Sequence, residues 1–230
     1  MKINKRKGNY VISINQLADF SIATDKGKRR IIRQQKNPNK FLVSWYQLSK
    51  SRIRKTLENN CDLTPVFDGI EELVNRKPTK PRQILDRQVS IQALKRFVNI
   101  KLPKLLKNIP YQVIKKVETK SIIYKGVEII ISPEVIFKLK IDGKEYLGAV
   151  KIHISKNNVF DNNQSRYISS LLYKYLDEVV AKNGEKVMPE LCLSIDVFGE
   201  KIISVPKNVE KKLEDIEVLC EEVKSLWQVA

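Results

Sequence analysis

With 230 residues and 42% hydrophobic content, the chain can fill one sizeable core, or a core with a helical extension, without staples. Its formal charge of +17 makes a polyanion the natural partner, because concentrated cations release counterions from a phosphate backbone. Three scattered cysteines exclude a disulfide framework and match no zinc spacing, and no apolar run approaches the roughly 20 residues of a membrane span or the core of a leader, so a reduced cytoplasmic protein is expected.

The charge is uneven: the first 60 residues carry 15 Lys and Arg against only Asp19, Asp25 and Glu58. Residues 1–9 read as a basic arm and 10–14 as a short strand. Residues 26–40, KGKRRIIRQQKNPNK, read as a loop or a frayed helix start. Its Lys28, Arg29, Arg30, Arg33 and Lys36 are candidates for phosphate contact, against the alternative of a solvated charge run. From Phe41 the pattern turns helical: Phe41, Leu42, Trp45, Leu48, Ile53 and Leu57 recur at three- to four-residue spacing, leaving Lys50, Arg52, Arg54 and Lys55 mostly outside. Arg52, Arg54 and Lys55 join the candidate nucleic-acid contacts. Trp45 and Tyr46 are read as core and boundary aromatics rather than stacking platforms.

Thr64-Pro65 supplies an N-cap and first-turn proline for a helix carrying Phe67, Ile70, Leu73 and Val74, which ends at the basic connector Lys77-Pro78-Thr79-Lys80-Pro81. A further helix is expected from Ser90, with Ile91, Leu94, Phe97 and Val98 on one side, stopping before Pro103. Residues 1–108 therefore form a basic, largely helical region, and 109–230 a separate α/β core.

After Pro110 the pattern becomes that of strands, at 111–117 and 121–124, with a hairpin turn at Lys125-Gly126. The central stretch follows at 127–155, VEIIISPEVIFKLKIDGKEYLGAVKIHIS. Ser132-Pro133-Glu134 and Asp142-Gly143 divide it into strand, kink, strand, tight turn and strand. Two charges stand where a buried sheet disfavours them: Glu134 after the proline, and Lys151 among Val150, Ile152 and Ile154. Such groups are costly to bury unless they pair with each other, a metal or a phosphate. A helix is expected from Gln164, with Ile168, Leu171, Leu172, Tyr175 and Val179 inward, ending at Asn183-Gly184. A hairpin at 191–205 turns at Gly199-Glu200. A closing helix from about Lys207 docks an apolar face on the sheet and turns an acid-rich face outward. The order suggests an α/β (α+β) protein with a mixed β-sheet flanked by helices.

Pro133-Glu134 and Ala149-Val150-Lys151, on consecutive strands joined by a turn, resemble the paired motifs of the PD-(D/E)XK, or restriction-endonuclease-like, nuclease superfamily. The resemblance covers roughly residues 110–205 and implies a restriction-endonuclease-like core. It implies Glu134 as a catalytic, metal-binding acid for Mg²⁺ and Lys151 as the stabiliser of charge building on phosphorus. Gln164 and Tyr167 resemble the Gln and Tyr that RecB-like members use beside the active site. Glu stands for the usual Asp, and Ala149 takes the place of the second acid; Glu128, Glu118 or Asp196 would have to supply it. His153 is the only histidine, which excludes a His-His metal site, and no glycine-rich loop of the P-loop or dinucleotide type occurs.

The expectation is thus a nucleic-acid-binding protein, for DNA in preference to RNA, on a catalytically degenerate nuclease-like core. Two alternatives stand beside it: an active Mg²⁺-dependent nuclease with a relocated acid, and a non-catalytic subunit of a nucleic-acid-processing assembly.

Overall fold

A computed structural model describes residues 9–38, 45–182 and 184–229. Most of the expected N-terminal arm, Phe41 and Leu42 of the expected helix, and Asn183 lie outside the described residues. The elements in order are β1 (Tyr10–Ser13), α1 (Ile14–Ile22), α2 (Asp25–Lys36), α3 (Gln47–Glu58), α4 (Thr64–Asn75), α5 (Pro81–Asn99) and α6 (Lys104–Asn108). There follow β2 (Tyr111–Val113), β3 (Ser121–Tyr124), β4 (Val127–Ile130), β5 (Val135–Ile141), β6 (Lys144–His153), α7 (Asn162–Tyr175), β7 (Lys186–Asp196), β8 (Lys201–Ile203) and α8 (Val209–Val229).

A five-stranded sheet runs in the order β2-β5-β6-β7-β8. Its pairs are antiparallel except β6–β7, which is parallel because the chain crosses over through α7. The hairpin β5–β6 closes at Asp142 and Gly143, both at positive φ, and β3–β4 closes the same way at Lys125 and Gly126. Two positive-φ residues in a two-residue loop match the right-handed strand twist. The fold is α+β, with mixed sheets flanked by helices.

Side-chain alternation distributes the sheet between two apolar clusters. Val135, Phe137 and Leu139 of β5, Val150 and Ile152 of β6, and Leu191, Leu193 and Ile195 of β7 pack with Ile53, Leu57, Leu73, Leu94 and Phe97 from α3, α4 and α5. On the opposite face Ile136, Leu147, Ala149 and Cys192 meet Ile168, Leu171, Leu172 and Tyr175 of α7. That second cluster continues into β1, α1, α8 and a three-stranded sheet of order β1-β4-β3, in which β1 pairs in parallel with β4. Elements from both sides of residue 108 therefore share each cluster.

Several local expectations are corrected. Residues 25–36 form a regular helix rather than a loop; Thr24 Oγ1 accepts from Gly27 N, and Ile31 and Ile32 are buried beneath the cationic turns. The helix expected from Ser90 starts nine residues earlier, with Pro81 in its first turn, where a missing N–H costs nothing. In α4 the buried face is Val66, Gly69 and Leu73, while Phe67 and Val74 are exposed; Asp62, not Thr64, provides the cap, accepting from Thr64 N at 3.0 Å. The strand at 111–117 ends at Val113, and α7 gives way after Tyr175 to a π-helical turn at Leu176–Val180. The closing helix α8 packs on α7, α2 and the small sheet.

Candidate functional site

The kink before β5 builds the site. Ser132 takes a positive φ of 41°, a conformation that costs a non-glycine residue energy and must be held by its surroundings. Here Lys120 O accepts from both Ile131 N and Ser132 N, at 2.8 and 3.0 Å. The kink takes the chain out of the small sheet and into the large one. It also turns the Ser132 carbonyl toward β6, where Lys151 Nζ donates to it at 2.7 Å.

Beyond the kink, Glu134 N donates to Val150 O at 2.9 Å and prolongs the β5–β6 ladder by one residue, setting Glu134 opposite Lys151. Both side chains are buried, and the Lys151 ammonium is 3.6 Å from Glu134 Oε1. A second cation completes the pair: Lys50 of α3 reaches the same oxygen at 2.7 Å. The other carboxylate oxygen accepts from Ile152 N at 2.8 Å. Burial pushes the Lys151 ammonium below the ordinary lysine range; Glu134 opposes that shift and Lys50 adds to it. Two ammonium groups against one carboxylate leave this buried cluster net positive.

One pleat step along β6, His153 donates from Nε2 to Asn158 O at 2.6 Å and stacks on Phe160 with ring centroids 3.6 Å apart. In the β6–β7 register it faces Asp196, whose Oδ2 is 4.0 Å away. Asp196 is fully buried and accepts from Phe160 N and Gly199 N, at 2.8 and 2.6 Å, so both its oxygens secure the surrounding loops. Asp19 of α1 approaches from the helical layer and accepts from Asn158 Nδ2 at 2.7 Å. Burial holds the Asp19 carboxyl above its ordinary range, although Asn158, His153 and Arg30 all favour its charged form.

Of the residues singled out in the sequence, Glu134 and Lys151 are brought together. Gln164 and Tyr167 make no hydrogen bond to either. Gln164 is buried in a capping box, its Oε1 accepting from Asp161 N at 2.9 Å, while its Nε2 donates to Ala18 O at 3.1 Å and ties α7 to α1. Tyr167 accepts from Asn163 Nδ2 at 3.1 Å beneath the Lys212 ammonium. Glu128 lies in the other sheet and accepts from Ser121 Oγ at 2.8 Å. Ala149 packs among apolar side chains beneath α7.

The Mg²⁺ implied by the resemblance is a poor match to this donor set. A hard divalent ion takes several oxygen ligands. Glu134 is one carboxylate with an ammonium group on each approach to Oε1 and a backbone N–H on Oε2. Among the described residues, no group of three or more His, Cys, Asp or Glu is placed to hold a metal ion.

The cationic residues of the N-terminal region separate into two sets. Lys28 is drawn onto α8 by Glu222 at 2.7 Å, Lys36 lies 5.8 Å from the Trp227 ring, Arg52 pairs with Glu72 at 2.6 Å, and Arg54 pairs with Glu58 at 2.7 Å. Arg29, Arg30, Arg33 and Lys55 are exposed and form no ion pair among the described residues. The three arginines share one face of α2, opposite buried Ile31 and Ile32.

Sequence reasoning misses Lys50 and Asp19. Helical spacing read from Phe41 leaves Lys50 outside, yet it stands three residues before Ile53 and seven before Leu57 on the inward edge of α3, a spacing that points toward the sheet. Asp19 carries no such signal, since only tertiary packing sets α1 against the ends of β6 and β7. Neither a protein-family model nor a curated protein sequence matches the chain.

Proposed function

We propose that the protein binds nucleic acid, DNA in preference to RNA, on a PD-(D/E)XK nuclease-like core that is catalytically degenerate. The observation that carries this reading is the arginine face of α2 adjoining the strand ends of the site. Arg30 from that face and His153 from β6 both act on the Asp19 carboxylate, while Arg29, Arg30 and Arg33 remain turned to solvent. A row of unneutralised guanidinium groups leading to a net-positive cluster suits a phosphate backbone.

Support for the nuclease-like core comes from Glu134 and Lys151 standing opposite each other on a hairpin, in a mixed sheet between two helical layers. Support for absent catalysis comes from the apolar packing of Ala149 and from Lys50 holding the carboxylate oxygen that a metal would need. Lys151 then acts electrostatically, as fixed positive charge beneath a bound phosphate.

The test is binding and cleavage of labelled single- and double-stranded DNA by the wild type, Lys151→Ala and a triple Arg29→Gln, Arg30→Gln, Arg33→Gln variant, with Mg²⁺, with Mn²⁺ and with EDTA. Salt-sensitive binding without cutting is expected. The triple variant should bind more weakly, with a salt slope shallower by about 1 for each phosphate that is no longer neutralised. Metal-dependent cutting that disappears in Lys151→Ala would replace this reading with that of an active nuclease. Neither binding nor cutting would leave the role of a subunit that meets other proteins.

A further inference from the structure

The basic connector Lys77-Pro78-Thr79-Lys80-Pro81 has no part in the site above, yet it helps to wall a wide groove. This cavity of about 840 Å³ opens between the N-terminal turn of α3, the end of α4 and the start of α5. The volume lies within the range typical of small-ligand clefts. Its lining holds five cationic side chains against one acid, Asp86. That acid is occupied, accepting from Tyr46 N at 3.0 Å, and Arg87 is likewise turned inward to donate to Leu73 O at 2.6 Å. Lys77 and Lys80 are exposed and form no ion pair among the described residues. Pro78 and Pro81 restrict the backbone that presents them, so little conformational entropy is lost when they close on an anion.

Trp45 forms the opposite wall. Although expected in the core or at its boundary, its side chain is 40% exposed, and the Arg82 guanidinium lies 5.5 Å from its ring centroid. Indole rings and guanidinium planes are both surfaces on which nucleobases stack. An aromatic wall facing paired lysines across a preformed groove recognises a flat ring joined to a phosphate.

We infer that this groove binds a nucleotide unit, the base stacked on Trp45 and the phosphate held by Lys77 and Lys80. The inference deepens the nucleic-acid reading above and rests on it where the nucleotide belongs to a strand. The same chemistry is also offered by a free mononucleotide. The groove shares α3 with the strand site: Gln47, Leu48 and Ser51 line the groove while Lys50 reaches Glu134. An unpaired strand gripped at Trp45 would thus approach the site along one helix.

The experiment compares a labelled twelve-residue oligothymidylate with an abasic strand of equal charge, bound to the wild type, Trp45→Ala and Lys77→Gln/Lys80→Gln. Dissociation constants are read by fluorescence anisotropy, with circular dichroism confirming that each variant is folded. Trp45→Ala should weaken oligothymidylate binding about tenfold and leave the abasic strand unchanged, because base–aromatic stacking is what it removes. The lysine variant should weaken both strands and flatten the salt slope by about 2. A second arm titrates thymidine monophosphate against intrinsic tryptophan fluorescence, with quenching expected in the wild type and abolished in Trp45→Ala.

Strand binding that neither variant alters would overturn the groove assignment and leave the arginine-face reading standing. Mononucleotide quenching without strand binding would uphold the groove as a free-nucleotide site and overturn the strand reading. Silence in both arms would overturn both. Trp45-dependent binding of polyglutamate as tight as that of oligothymidylate would overturn the assignment to a base.

Discussion

Glu134 is the residue on which the two helical layers and the hairpin depend together. It neutralises a buried ammonium from β6, receives a second from α3, and satisfies a backbone N–H. Removing one partner of a buried pair leaves an uncompensated charge, so Glu134→Gln should lower the unfolding free energy by about 3–5 kcal/mol in urea titration at neutral pH. Lys151→Met should cost less than about 1 kcal/mol, because Lys50 and Ile152 N still serve the carboxylate. The double variant should recover most of the deficit, since it buries no unpaired charge. The buried ammonium also sets a pH dependence. With the Lys151 pKa lowered in the folded state, the unfolded chain holds this proton more tightly, so stability rises with pH through the window below 10.5. The wild type should therefore gain on Lys151→Met across that window, and equal slopes for the two proteins would refute the account.

At the scale of elements, β6 is the strand that fixes the rest, and Gly148 marks how closely its neighbours approach. A Cβ added there would lie 2.5 Å from Phe137 Cζ and 2.8 Å from Leu191 Cβ, in both adjacent strands. Gly148→Ala should therefore destabilise by about 1–3 kcal/mol, measured by denaturant unfolding. The α7 capping box makes a second point of control: Asp161→Ala should cost about 1 kcal/mol and loosen the join between α7 and α1 that Gln164 makes. The turns at Lys125-Gly126 and Asp142-Gly143, and the strands they join, were legible because two positive-φ positions favour few residue types. The helix at 25–36 was harder to see. Its mass of cations resembles a solvated run, and only Ile31 and Ile32 report a buried face.

For the whole molecule, the N-terminal elements complete the α/β core. Ile12, Ile14, Leu17 and Phe20 fill the cluster beneath α7, and Leu94 and Phe97 fill the other face of the sheet. A chain reduced to residues 109–230 should consequently retain helical far-ultraviolet signal, lose near-ultraviolet dichroism and bind hydrophobic dye; cooperative unfolding of that fragment would contradict this picture. The excess positive charge is distributed by the same assembly. Acids of α8 take up Lys28 and Lys125, while the arginine face of α2 is left to solvent. The amino-acid sequence by itself determined the alternating strands, their tight turns, the mixed α/β architecture, and the two charges that a sheet buries only in partnership. Periodicity and turn chemistry are local properties, and each can be read within a few residues. Only the tertiary structure decided that Lys50 joins Glu134, that Asp19 meets the ends of β6 and β7, and that Trp45 walls a groove rather than a core. Those contacts join residues far apart in the chain, and they exist only once the layers have packed.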